Sequence, residues 1–273
     1  MSKKIDLDKY YTTTEIAKKC IKKTYDIIGI NNIKEIIEPS AGNGSFSNLI
    51  NGFSNDSKAC TAYDIEPEHQ SIIQQDFLEL DLPYKKGRLF IGNPPFGEKN
   101  LLAMKFFKHS VLMGDYISFI LPISQYNNNQ QMFEFDLIHS EDLGKSPYSG
   151  VDVHCCLNIY KRPTNGVNKK PNKHKLNDVT IKEVRKARNQ FLPKDFEYDY
   201  SLCTWGDLGK KPNYQGEFNQ EAYIRINNDK VRLEILNCLN NANWIEIYKM
   251  ERSPRLKQWQ ILKHLKDSII GIE

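Results

Sequence analysis

Along the first 160 residues, apolar positions alternate between two spacings. Ile16, Ala17, Cys20, Ile21, Ile27 and Ile28 recur with a helical period and predict a helix over 14–28. Short apolar runs at 33–38, 60–65, 88–92 and 116–121 predict buried strands, with a weaker one at 71–75. Helices are expected at 45–50 and 101–113, and two further strands near 135–139 and over 153–160. Strands alternating with helices imply an α/β fold, a parallel sheet covered on both faces. In such a sheet a ligand sits at the carboxyl ends of the strands.

The pattern then stops. The stretch KRPTNGVNKKPNKHKL, 161–176, is rich in Pro, Gly, Asn and Lys without an apolar period, and it places a linker over 163–176. It separates a domain of 1–162 from one of 177–273. The second domain holds Trp205, Tyr214, Tyr223, Trp244, Tyr248 and Trp259, with helices expected at 229–239 and 256–265. There is no internal repeat.

Charge sharpens this division. Residues 1–160 carry 16 Lys and Arg against 20 Asp and Glu, a net −4, whereas residues 161–273 carry 22 against 14, a net +8. A polyanion such as nucleic acid is the natural partner of the basic half; a generic solvated basic surface is the competing reading. The six cysteines are scattered with no CxxC pair, which argues against a disulfide framework or a metal site and for a reducing, cytoplasmic setting. The run His154-Cys155-Cys156 lies inside an apolar segment and reads as core packing. No stretch approaches the roughly 20 apolar residues of a membrane span. Residues 1–9 are polar, unlike a signal peptide.

Three segments with chemical content fall at strand ends. Glu38-Pro39-Ser40-Ala41-Gly42-Asn43-Gly44 is a glycine turn between a strand and a helix, where backbone can approach a ligand closely. On its own it would equally suit NAD, although the third glycine of the dinucleotide fingerprint is missing. Asp64 ends the next strand, 20 positions after Gly44, the place of an acid that binds ribose hydroxyls. Asp76-Phe77 follows the third strand, offering a carboxylate for an adenine amine and a ring to pack on the base. Together they point to a nucleoside-containing cofactor.

The fourth strand runs into Gly92-Asn93-Pro94-Pro95-Phe96. Two prolines cannot continue the sheet and make the loop rigid. The Asn93 side-chain carbonyl and the Asn93-Pro94 backbone carbonyl are then two fixed acceptors for one planar NH2 group. Pulling on both hydrogens of an adenine amine favours a pyramidal, more nucleophilic nitrogen, by positioning and electrostatics. Phe96 is placed to stack on the target base.

EPSAGNGSF (38–46), AYDIEP (62–67), QQDF (74–77) and GNPPFG (92–97) resemble the amino-methyltransferases of the class I fold, which depend on S-adenosylmethionine. The order of motifs, cofactor before catalytic with a basic region last, is similar to the gamma arrangement of DNA adenine-N6 methyltransferases. The resemblance covers about 1–162 and implies a Rossmann-like, seven-stranded, mostly parallel sheet with the last strand antiparallel, followed by a small α+β domain. It implies that Tyr11, Thr12, Glu38, Pro39, Ser40, Gly42, Gly44, Asp64, Ile65, Asp76, Phe77 and Asn93 line the cofactor site. Tyr10-Tyr11-Thr12-Thr13 resembles the family's extra cofactor motif without its proline. Asn93, Pro94, Pro95 and Phe96 would be catalytic, and Tyr148, just before the last strand, would stack on a flipped base opposite Phe96. The implied partner is double-stranded DNA, met by a monomer, with a cognate restriction endonuclease as a further partner the family admits. Similar Asn-Pro-Pro loops serve RNA adenine-N6 or guanine-N2 methyltransferases and protein-glutamine methyltransferases, and a catalytically silent nucleic-acid-binding protein is the reading from another class.

Overall fold

The computed structural model describes residues 11–52, 59–148, 151–170, 175–185, 188–206, 208–209, 220–251 and 254–273. The chain divides into two compact units, 1–170 and 171–273.

The first unit runs α1 (Thr14–Ile28), β1 (Glu35–Glu38), α2 (Ser47–Gly52), β2 (Cys60–Asp64), β3 (Ile73–Gln74), β4 (Arg88–Gly92), α3 (Leu101–Met113), β5 (Tyr116–Pro122), β6 (Asp136–Tyr148) and β7 (Val151–Lys161). The seven strands lie in the order β3-β2-β1-β4-β5-β7-β6. Pairings from β3 through β5 are parallel, and β7 runs antiparallel to both β5 and β6. This is the α/β arrangement that the element pattern implied, and the Rossmann-like, seven-stranded, mostly parallel sheet with its last strand antiparallel that the resemblance implied.

Burial explains why the central strands read as unbroken apolar runs: all five residues of β4 are buried, as expected for a parallel strand covered on both faces. Ile36, Leu89 and Ile91 join the core beneath α1 and α2, whereas Ile37, Phe90 and Phe119 join the core beneath α3. Cys155 packs into the first of these cores and Cys156 into the second, so the two thiols serve opposite faces of β7. Helix α1 starts where Thr13 Oγ1 accepts from the Ile16 amide at 3.4 Å, and it ends at Gly29, whose φ of 81° suits a residue without a β-carbon. Its stripe of Ala17, Cys20, Ile21, Thr24 and Ile28 is buried.

The largest departure from the sequence pattern is β6, expected as 135–139 and found over 13 residues. Its register against β7 shifts between Leu137 and His139 and again between Asp142 and Gly144, where Gly144 has φ 76°. Each shift breaks the period of two, so a long strand looks like a short one. Because β5 ends opposite Cys155, the hairpin formed by the end of β6 and the start of β7 rises past the carboxyl edge of the parallel strands.

The end of β7 is fastened to α3. Arg162 Nε and Nη2 donate to the Gly114 carbonyl at 3.1 and 2.8 Å, and Nη2 also reaches the Val111 carbonyl. The helix's last carbonyls thus gain the donors that their own turn cannot supply. The guanidinium lies 4.8 Å from the Phe135 ring centroid and 3.2 Å from Asp115. The first unit runs on to 170, past the expected boundary at 162: the Asn168 amide donates to the Glu134 carbonyl at 2.8 Å and its Nδ2 to Asp136 Oδ1 at 2.9 Å.

The second unit holds a three-stranded antiparallel sheet, β8 (Val179–Arg185), β10 (Gln220–Ile226) and β9 (Tyr200–Cys203), in the order β8-β10-β9. Helices α4 (Arg232–Asn241), α5 (Trp244–Tyr248) and α6 (Gln258–Ser268) complete it. Leu202, Ala222, Ile224, Ile235, Ile261 and Leu265 form the centre of its core, and Trp244 and Tyr248 are buried there too. Among the described residues, no helix is long and apolar enough to cross a membrane.

Replacing Arg162 with Met should destabilise the first unit by about 1.5–3 kcal/mol, the range for hydrogen bonds made by a charged donor. All three tryptophans lie in 171–273, so their fluorescence would miss the effect. Hydrogen exchange of peptides from α3 and β7 should report it, and unchanged protection there would remove Arg162 as the clasp.

Candidate active site

The carboxyl ends of β1, β2 and β4 meet above the glycine turn. Gly42, at φ 53°, turns the chain so that its amide donates to Asp64 Oδ2 at 2.7 Å. Asp64 Oδ1 accepts from the Glu66 amide at 2.8 Å. Two backbone donors thus fix the half-buried carboxylate, and each oxygen keeps a second acceptor position. A β-carbon on Gly42 would sit 3.7 Å from the Tyr11 ring, so Tyr11 lies over the turn. Its hydroxyl donates to Glu68. Asp76 turns the chain after β3, accepting from the Leu78 amide at 2.9 Å.

Glu38 is buried at the end of β1, with Oε2 accepting from the Ser47 amide at 2.8 Å. Burial pushes its carboxyl up to about 8; amide hydrogen bonds from Phe46 and Ser47 oppose that rise and the nearby Asp64 adds to it. Glu38 therefore carries a proton through much of the neutral range while holding the start of α2.

The loop after β4 is laced to two other segments. Asn93 Nδ2 donates to Thr12 Oγ1 at 3.2 Å, and Ser40 Oγ donates to the Asn93 backbone carbonyl at 3.3 Å. Ser45 Oγ donates to the Thr12 carbonyl at 2.9 Å. Residues 11–12, the glycine turn and the Asn-Pro-Pro loop are thereby one network. Past the loop, the Phe96 carbonyl accepts from the Leu102 amide at 3.2 Å. Gly97 has φ 66°, and a β-carbon there would come within 2.8 Å of Leu102 Cβ, so only glycine fits. Lys99 and Asn100 follow at φ 52° and 64°, two left-handed non-glycine residues beside the site.

These pieces line a cavity of about 250 Å³. Tyr11, Thr12, Glu38, Pro39, Ser40, Gly42, Asp64, Ile65, Asp76, Phe77, Asn93 and Pro95 all line it. Gly44, Pro94 and Phe96 are not on this wall. Gly44 is off the cavity wall; at φ 84° its amide closes the turn onto the Ala41 carbonyl, and a β-carbon would strike Asn48 at 2.6 Å. Phe96 is 7% exposed and packs in the core beneath α1, so its ring is not offered to an incoming base; apolar burial outweighs presentation here. The Phe77 ring is committed to Phe106, stacked at 5.2 Å, and to Phe90 edge-on. Pro94 is buried within the loop. Tyr148 ends β6, pairing with Val151, and its side chain lies outside the described residues.

Sequence reasoning missed Leu78, Leu102, Phe106, Gln75 and Phe46 on the cavity wall. Leu102 and Phe106 are four apart on α3 and so share a helix face, a signal that could have placed them once the loop before α3 was singled out.

No protein-family model matches the chain, and no curated protein matches it. Solved structures similar to it include a Thermoplasma acidophilum protein at 16% identity, with 58% of this chain and 93% of that one covered and a TM-score of 0.45. A candidate RNA methyltransferase from Pyrococcus horikoshii is similar at 14% identity, covering 59% and 89%, with a TM-score of 0.47. The methyltransferase subunit of a type I restriction-modification system from Streptococcus thermophilus is similar at 14% identity, covering 85% of this chain and 53% of that one, with a TM-score of 0.40.

The raised Glu38 predicts a pH effect. The folded carboxyl holds its proton up to about 8, the unfolded one only to its ordinary 4.5. Between these values the folded state binds more protons, so Glu38 contributes stability at low pH that is lost as pH rises from 4.5 through 8. Glu38→Gln should remove this slope. Unfolding midpoints of variant and parent, compared across that window, should diverge in favour of the variant as pH rises; parallel curves would mean that Glu38 titrates normally.

Proposed function

We propose that the chain transfers a methyl group from S-adenosylmethionine to the N6 amine of adenine in DNA. The observation that carries this reading is the position of Asn93, fixed through Thr12 on the wall of the same cavity as Asp64 and Asp76. A cofactor-binding turn and a rigid pair of acceptors for an amine thus face one volume.

The residues present suit the cofactor. Asp64 has acceptor positions left for a ribose diol, and Asp76 offers a carboxylate at the next strand end. Leu78, Leu102 and Phe106 supply apolar wall for an adenine ring. S-adenosylmethionine, when bound, supplies an electrophilic methyl group. The chain's own part is to hold the acceptor nitrogen. Asn93 donates through Nδ2 to Thr12, which leaves its carbonyl edge turned away from Thr12 as the acceptor. The Asn93 backbone carbonyl, already taking one hydrogen bond from Ser40, has a second lone pair. No general base is required, because the proton leaves with or after the methyl transfer. The target adenine must leave the duplex stack to reach the loop, and the basic 161–273 region supplies phosphate contacts. Phe96, buried as it is, acts as the anchor of the loop.

Calorimetric titration with S-adenosylmethionine and methyl transfer to duplex DNA test the reading together. Asp64→Ala should weaken cofactor binding at least tenfold, about 1.4 kcal/mol. Asn93→Ala should lower the transfer rate by roughly 10²–10³ while cofactor affinity stays within a few fold. Mass spectrometry of digested nucleosides should find N6-methyladenine; label on cytosine, or on RNA alone, would sink the assignment.

A further inference from the structure

The sheet of the second unit has two faces of different character. Ala222, Ile224 and Ile226 of β10 point into the core, so by alternation Tyr223 and Arg225 point outward, opposite Lys182 and Thr180 of β8. On this outer face Phe196 is 7% exposed, with Lys182 Nζ 4.7 Å and Arg225 Cζ 5.3 Å from its ring centroid. The two cations therefore lie at most 10 Å apart, within about one Debye length at 0.1 M salt, so their repulsion is only partly screened. Neither forms an ion pair with a described residue, and Arg225 Nε donates to Asn227 Oδ1 at 3.3 Å. Glu221, the carboxylate on the same face, is buried and takes the Tyr223 hydroxyl at 2.5 Å. Tyr198, 48% exposed, packs edge-on against Tyr223 at 4.9 Å.

We propose that this outer face is a contact for the phosphate backbone of duplex DNA, with Lys182 and Arg225 each taking a phosphate. It rests on the reading of the chain as a DNA-acting enzyme and locates part of the partner surface within the second unit. Cation–π contacts with one buried ring hold both side chains in place before a ligand arrives, which lowers the ordering cost of binding. A polyanion relieves the repulsion between them. The +8 balance of 161–273 makes the wider surroundings favourable to the same partner.

The test measures affinity of the full chain for a fluorescein-labelled DNA duplex across a series of salt concentrations. The double variant Lys182→Gln, Arg225→Gln keeps side-chain length over Phe196. It should lower the slope of log affinity against log salt by about two, at roughly 0.9 per phosphate contact, and weaken binding more than about tenfold at 0.1 M salt. Cofactor titration should be unchanged. The control pair Lys230→Gln, Lys266→Gln removes the same charge from exposed positions elsewhere in the unit and should leave the slope nearly intact. Wild-type binding with a steep slope that the Lys182, Arg225 variant retains, or that the control pair reduces as much, overturns the surface alone. Absence of DNA binding by the wild type overturns it together with the proposed substrate.

Discussion

A carboxyl group buried at the end of β1 sets the geometry on which the site depends. Removing Glu38 from water would be costly if it stayed charged, and burial resolves this by holding a proton on it into the neutral range. Its oxygen receives the Ser47 amide, so the end of a strand and the start of α2 share one anchor. Gly92, the last residue of β4, lies so near that a β-carbon there would sit 3.4 Å from Glu38 Cγ. The glycine turn and the Asn-Pro-Pro loop are consequently spaced by a single side chain.

From that anchor the rest of the site follows by hydrogen bonds across segments far apart in sequence. Thr12 receives the Asn93 amide while its own carbonyl receives Ser45, and Ser40 bonds the Asn93 carbonyl. Residues 11–12 are thus part of the cavity rather than a lead-in to α1. The rigid prolines, the glycine forced at 97 and the left-handed Lys99 and Asn100 concentrate backbone strain just past the loop, where preorganisation of acceptors would be of use.

The second unit works by different physics. Its core is an ordinary packed α+β arrangement, and its distinctive feature is the pair of cations resting on Phe196 at the outer sheet face. The first unit offers a cavity at the strand ends, and the second offers exposed positive charge on an aromatic base.

Sequence by itself determined what depends on near neighbours. The helical stripe of α1, the unbroken apolar runs of the parallel strands, the glycine turn ahead of α2 and the stop imposed by Pro94 and Pro95 are all local consequences of period, burial and backbone freedom. They were enough for an α/β sheet and three segments at its strand ends; the seven-stranded form and most of the cavity wall came from the family resemblance that those segments carry. Only the tertiary structure decided the length of β6, because pairing with β7 across two register shifts is invisible to a period-two pattern. The strands β8, β9 and β10 were likewise hidden, since their turns and partners are distant in sequence. The inward burial of Phe96, the turn-closing role of Gly44 and the arrival of Leu102 and Phe106 at the cavity were also decided there. Each depends on which face of an element another part of the chain covers, and that is settled by packing between segments, not by the residues on either side.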